Sequence, residues 1–95
     1  MKVAPEARVV RQLTVTCSHG LHARTAALLV KTANRFESDI QIEKDDARVN
    51  GKSIMGVLML AAAVGTVLTV IAEGPDAAKA MAALEELFLA GFHEA

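Results

Sequence analysis

Apolar and polar residues alternate in three separate stretches of this chain. Leu13, Val15 and Cys17 alternate with Gln12, Thr14 and Thr16. Ile40 and Ile42 alternate with Asp39, Gln41 and Glu43, and Leu68, Val70 and Ala72 share one parity of a third stretch. A strand turns successive side chains to opposite faces, so this pattern builds a sheet with one buried face and one wet face. An antiparallel sheet covered on a single side follows. The predicted strands are Val9–Thr16, Ser38–Lys44, a short Ala47–Asn50 with Val49 inward, and Val67–Glu73 with Ile71 on the open, exposed face. Asp45-Asp46 and Asn50-Gly51 supply turns.

Helical periodicity fills the gaps. Ala26, Leu29, Val30 and Ala33 fall at i, i+3, i+4 and i+7, so a helix over about Ala23–Asn34 buries one stripe and leaves Leu28 exposed. Phe36 is expected to pack beneath its end. Ser53 is a good N-cap for a short second helix, with Val57 and Leu60 inward and Ile54, Met55 and Leu58 on another side. Gly74-Pro75-Asp76 ends the last strand, and Asp76 is expected to cap a third helix. Its buried face would hold Ala77, Ala80, Met81, Leu84, Leu87, Phe88 and Gly91. His93 falls in a tail expected to fray. The order is βαββαβα, an α+β chain with helices on one face of the sheet.

Ninety-five residues bound a single domain with one modest core, here residues 1–95, with a loose leader over 1–8 and a core over about 9–92. The chain has three Phe and no Tyr or Trp, which argues against a base-stacking nucleic-acid surface. A net charge of −1 gives no bias toward polyanions. Lone Cys17 makes no internal disulfide and suits a reducing cytoplasm. One Cys and three scattered His show no metal-ligand spacing, and no cofactor is implied. The N-terminus has no apolar secretory segment, and the run Val57–Val64 is too short for a membrane span, so a soluble cytoplasmic protein is expected.

Chemistry gathers at Gly20-Leu21-His22-Ala23-Arg24-Thr25. His22 stands at or beside a helix N-cap. Arg24 lies in the first turn, where a cation is disfavoured unless an anion neutralises it. The first backbone N–H groups of a helix have no partner within it. An anion site beside a titratable imidazole results, as a phosphoryl-bearing histidine requires. For an isolated His-x-Arg the plainer reading is a helix start with a solvated charge. For Ile54, Met55 and Leu58, burial all round and a soft docking surface are near-equal readings.

Gly20-Leu21-His22-Ala23-Arg24 followed by Ala26-Ala27, together with Lys52-Ser53-Ile54-Met55-Gly56-Val57 about 30 residues on, resembles the HPr family of the phosphoenolpyruvate-dependent sugar phosphotransferase system. The likeness runs from about Val9 to Phe92. It implies an open-faced β-sandwich of four antiparallel strands and three helices. It implies phosphoryl transfer from enzyme I to Nδ1 of His22 and on to enzyme IIA domains, by a carrier and not a free-standing catalyst. Arg24 would neutralise the phosphoryl oxygens, with Ala23 and Thr25 close by. Ala27, Leu28, Ile54, Met55 and Leu58 would dock the partners. Ser53 matches the serine modified by the ATP-dependent HPr kinase/phosphorylase. A phosphate there would add about two negative charges beside an apolar docking face while leaving the helix capped.

Two positions depart from the family pattern. Thr25 stands where Pro is usual, and is expected to loosen the backbone and to offer the phosphoryl group an extra donor. His19 stands in the turn as an exposed loop residue, or as a second cation near the phosphoryl group. Two further readings are weighed: a mainly regulatory paralogue signalling carbon or nitrogen state to transcriptional regulators, and a small-molecule-binding module of ferredoxin-like order. His22 argues against a paralogue unable to carry phosphate. The paired motifs would be accidents in the last case.

Overall fold

The alternating segments close into one four-stranded antiparallel sheet in the computed structural model, which describes residues 7–94. Its strands are β1 (Ala7–Thr14), β2 (Asp39–Lys44), β3 (Ala47–Asn50) and β4 (Val67–Gly74), in spatial order β1-β4-β2-β3. The helices α1 (Ala23–Ala33), α2 (Ile54–Met59) and α3 (Ala77–Leu89) cover one face, and a 3₁₀ turn, Gly91–His93, follows. Register joins the predicted inward residues into rows. Val9, Ala72 and Ile40 form one row, and Val70, Ile42 and Val49 belong to the next. Beneath them Leu29, Ala26, Ala33, Val57, Leu60, Met81, Leu84 and Phe88 complete the core. Burying a side chain the size of Leu29 contributes about 1.5–3 kcal/mol.

β1 begins earlier than the alternation suggests. Ala7 and Arg8 pair with Gly74 and Glu73, so these two positions of the expected leader belong to the sheet. Residues 1–6 of that leader lie outside the described residues. The regular strand stops at Thr14, not Thr16, although Val15 still exchanges two 2.8 Å backbone bonds with Gly65 and Thr66.

Four other expectations are corrected. Ile71 is only 6% exposed, because β4 is an inner strand and Val10 and Gln41 flank Ile71 directly on either side. Leu28 is half-buried, packed against the core from α1. Asp76 occupies the N-cap position of α3 but makes no capping bond. Its carboxylate instead accepts the N–H of Glu37 at 3.0 Å, the N–H of Ser38 at 2.9 Å and the hydroxyl of Ser38 at 2.6 Å. The Ser38 hydroxyl, then the Glu37 amide, hold the Asp76 carboxyl down to about 2. This cluster clips the start of β2 to the end of β4, where Gly74 passes so close that a Cβ would lie 2.6 Å from Ser38 Oγ.

The fourth correction concerns the C-terminus. α3 ends at Leu89, and Gly91 leaves its buried face with φ +61°. Phe92 and His93 follow at +58° and +56°, a conformation that costs a residue with a Cβ about 1–2 kcal/mol. Burial offsets the cost: Phe92 is fully buried, edge-on to Phe88 with ring centroids 4.9 Å apart. The expected fraying tail is therefore an anchored turn as far as Glu94. That carboxylate accepts the Ser18 N–H at 2.5 and 3.0 Å and the Ser18 hydroxyl at 2.7 Å, and these bonds hold it below the usual carboxylate range.

Candidate functional site

The turn that delivers His22 depends on Gly20. Its φ is +69°, and a Cβ there would lie 2.5 Å from the carbonyl oxygen of Ala62. The same carbonyl accepts the Leu21 N–H at 2.8 Å, so the turn is tied to the segment after α2. The chain then leaves His22 extended (φ −117°, ψ −170°) and enters α1. His22 is the N-cap of that helix, as the sequence predicts.

A histidine is an unusual cap, and the bonds show how it works. Nδ1 of His22 accepts the Arg24 N–H at 3.3 Å. An Nδ1 that accepts carries a lone pair and no proton, which places the ring proton on Nε2. The lone pair thus points at the unpartnered amides of the helix start. No acidic residue stands in the first turn to neutralise them. His22 is half-buried, so the ring is supported yet reachable.

Thr25 corrects an expectation. Its side chain is fully buried. Its Oγ1 accepts the His22 N–H at 3.0 Å and donates to the Gly20 carbonyl at 2.9 Å. The hydroxyl is committed inward and offers nothing to a phosphoryl group. The same two bonds tie the backbone that enters His22 to the helix, and with the His22 side chain accepting at the helix start they complete a reciprocal cap where Pro would have fixed φ instead. Beside Thr25, the Cys17 thiol is buried and donates to Gly20 O at 3.2 Å; burial pushes its ionisation up.

Arg24 and Ala23 are exposed in the first turn. Among the described residues the Arg24 guanidinium makes no hydrogen bond or ion pair, so its donors are available to a ligand. His19 is exposed, with its ring centroid 6.3 Å from that of His22 and tilted by 51°. No group of His, Cys, Asp and Glu among the described residues is placed to hold a metal ion. Nor is any helix among them long and apolar enough to cross a membrane.

An apolar surface adjoins the site. Arg24, Ala27, Leu28, Lys31, Phe92 and His93 line a shallow groove of about 440 Å³ with a cationic rim. Ala27 is exposed there. α1 packs on α2, whose outer face carries Ile54, Met55 and Met59 at 40%, 66% and 78% exposure. Leu58 is half-buried against the core and supports that face. Met59 and the groove-lining Phe92 were not legible as site residues in the sequence, although the i, i+4 spacing of Met55 and Met59 was there to find. Two bonds join the segment after α1 to the segment before α2: Lys52 Nζ donates to Phe36 O at 2.7 Å, and Asn34 Nδ2 to Lys52 O at 3.3 Å. Beyond them Ser53 caps α2, its Oγ accepting the Gly56 N–H at 3.2 Å.

This geometry matches known proteins. A family model described as the PTS HPr component phosphorylation site matches residues 9–90. The phosphocarrier protein HPr of Treponema pallidum is 48% identical over 86 residues, covering 90% of this chain and 98% of the relative. The HPr-like protein Crh of Halalkalibacterium halodurans is 53% identical over 76 residues, covering 80% and 90%. Among solved structures, HPr of Thermoanaerobacter tengcongensis superposes with a TM-score of 0.88 at 42% identity, covering 92% of this chain and 98% of that one.

Proposed function

This chain belongs to the HPr family of phosphocarrier proteins, and from that premise we propose that Nδ1 of His22 is the atom that carries the phosphoryl group. The observation that supports this most is the direction of the Nδ1 lone pair. It already faces the Arg24 N–H at the helix start, so a ring that turns enough to release that amide would bring the oxygens of a phosphoryl group on Nδ1 to the helix N–H groups. As the N–P bond to His22 forms, the bond from phosphorus to the donor breaks, and Nε2 keeps its proton throughout. Arg24, with no side-chain partner among the described residues, would neutralise the phosphoryl oxygens, with Ala23 at the helix start beside them. The reverse displacement hands the group on, so the chain is consumed and regenerated by its partners and turns over nothing alone.

The donor in this reading is phospho-enzyme I, and the acceptors are enzyme IIA domains. Both would dock on Ala27, Leu28, Ile54 and Met55, with Leu58 beneath, an apolar surface bordered by the cations Arg24 and Lys31. The buried free thiol of Cys17 accords with a reducing cytoplasm as the place of action. Ser53 would be the site of HPr kinase/phosphorylase. A phosphate on an N-cap is favoured by the helix end, so α2 would persist while docking is repelled.

The match to Crh, and to the solved structure of the Bacillus subtilis Crh, a catabolite repression HPr, favours a second reading, in which Ser53 phosphorylation reports to transcriptional regulators. One experiment separates the two. The purified chain is incubated with enzyme I and phosphoenolpyruvate, and in parallel with HPr kinase and ATP. Acid-labile phosphate on His22, absent from His22→Ala, is the expected result of the first. No transfer there, with acid-stable phosphate on Ser53 in the second, would overturn the carrier role of His22.

A further inference from the structure

Three methionines lie within residues 7–94, and their surroundings divide them. Met81 is 1% exposed in the core. Met55 and Met59 are 66% and 78% exposed, one turn apart on the outer face of α2, with Ile54 beside them. Few apolar side chains among the described residues are so open; Met55 belongs to the surface proposed above for docking, and Met59 extends it by one helical turn.

We propose that Met55 and Met59 are a modification site at which peroxide-class oxidants switch docking off. The step is a two-electron oxidation. The thioether sulfur attacks the hydroxyl oxygen of the peroxide, an S–O bond forms as the O–O bond breaks, and the proton of that oxygen passes to the departing one, which leaves as water from hydrogen peroxide or as an alcohol from an organic hydroperoxide. A flexible apolar side chain becomes a polar acceptor. An interface that buries that oxygen without a donor is weakened, whereas water solvates it freely in the unbound chain. The modification therefore acts on association and leaves the fold alone, because both side chains are already largely exposed.

Other oxidisable groups are placed differently. The Cys17 thiol is buried, bonded to Gly20 O and pushed toward its protonated, unreactive form. Met81 is shielded by the core. Ser53, at the N-cap of the same helix, would place a charge on this face through phosphorylation. α2 would thus receive two chemically distinct signals, each adding polarity to one apolar surface, and sulfoxide reduction would reverse the second.

This inference rests on the docking role proposed for α2. The test treats the purified chain with hydrogen peroxide until peptide mapping finds one added oxygen on Met55 and on Met59. Phosphoryl acceptance from enzyme I is then measured against chain concentration. The expected result is a KM for the chain raised about tenfold or more with kcat nearly unchanged, and return to the starting value after methionine sulfoxide reductases. A Met55→Leu/Met59→Leu chain, whatever its own KM, is expected to keep that KM through the same treatment. Oxidation of Met81 in step with Met55 and Met59, or full oxidation of the pair with KM unmoved, overturns the proposal. Failure of the untreated chain to accept phosphate would instead overturn the carrier reading on which it rests.

Discussion

Replacing Thr25 with Val tests how His22, the proposed carrier, is held. Val keeps the shape of Thr and removes only the hydroxyl, so no cavity opens. Two bonds disappear, from the His22 N–H at 3.0 Å and to Gly20 O at 2.9 Å. Each is worth about 1 kcal/mol net, and Gly20 O keeps the Cys17 thiol as a second donor. The expected loss is therefore about 2 kcal/mol. Thr25→Ser keeps the hydroxyl and deletes one buried methyl, for about 1 kcal/mol. With a urea m-value of about 1 kcal/mol/M, the midpoint falls about 2 M in the first variant and about 1 M in the second, at constant m. Enzyme I should also phosphorylate Thr25→Val more slowly, since a His22 backbone freed on one side presents Nδ1 less often in line. A Thr25→Val chain at least as stable as Thr25→Ser, and phosphorylated at the parent rate, would refute the argument that the hydroxyl does the work of the missing proline.

Arg24→Ala should slow phosphoryl acceptance by at least about tenfold while changing the urea midpoint little, because the guanidinium bonds to nothing else among the described residues; the reverse pattern would make Arg24 structural. Ser53→Asp should raise the KM for the chain with enzyme I and leave far-UV circular dichroism unchanged. Phe92→Ala should cost about 3–5 kcal/mol in urea unfolding, since the left-handed turn loses the burial that offsets it. Asp76→Asn should alter the acid limb. The Asp76 carboxyl is held at about 2 against an ordinary 3.8, so its contribution is present above the ordinary value and is lost as pH falls through the lowered one. In an acid titration of parent and variant, the stability difference should be constant above about pH 4 and shrink toward pH 2.

How much of this was legible in the sequence depended on whether a signal was local. Val15, Ile40, Ile42, Leu68, Val70 and Ala72 face inward as their alternation says, because a strand's periodicity is built into its backbone. His22 and Ser53 cap helices as their positions say. Ile71 obeys the alternation too, but its burial depends on which strands lie beside β4, and that order is a property of the whole sheet. Thr25 reads as a substitution for Pro; that its hydroxyl turns inward depends on the Gly20 carbonyl being within reach. Asp76 stands where a cap should, yet Ser38 and two amides from another loop compete for its oxygens and win. The turn at Phe92 and His93 has no local signature, because neither residue favours positive φ and the compensating contact is with Phe88 in the folded state.

The order of the strands also governs when this protein can exist at all. β1 is made before β4, but Ala7 pairs with Gly74 and Val9 with Ala72. Until β4 leaves the ribosome, β1 has no neighbour, and the inner edge of β2 is likewise unpaired. Such pairings form only after long loops close, which slows folding and leaves strand edges open meanwhile. Ala62, whose carbonyl fixes the Gly20–Leu21 turn, also emerges late. A nascent chain halted before β4 therefore holds His22 in sequence but not in place. Competence to carry phosphate arrives abruptly, once β4 has been made, and gene fragments that stop short of β4 should yield aggregation-prone peptides and no partial activity.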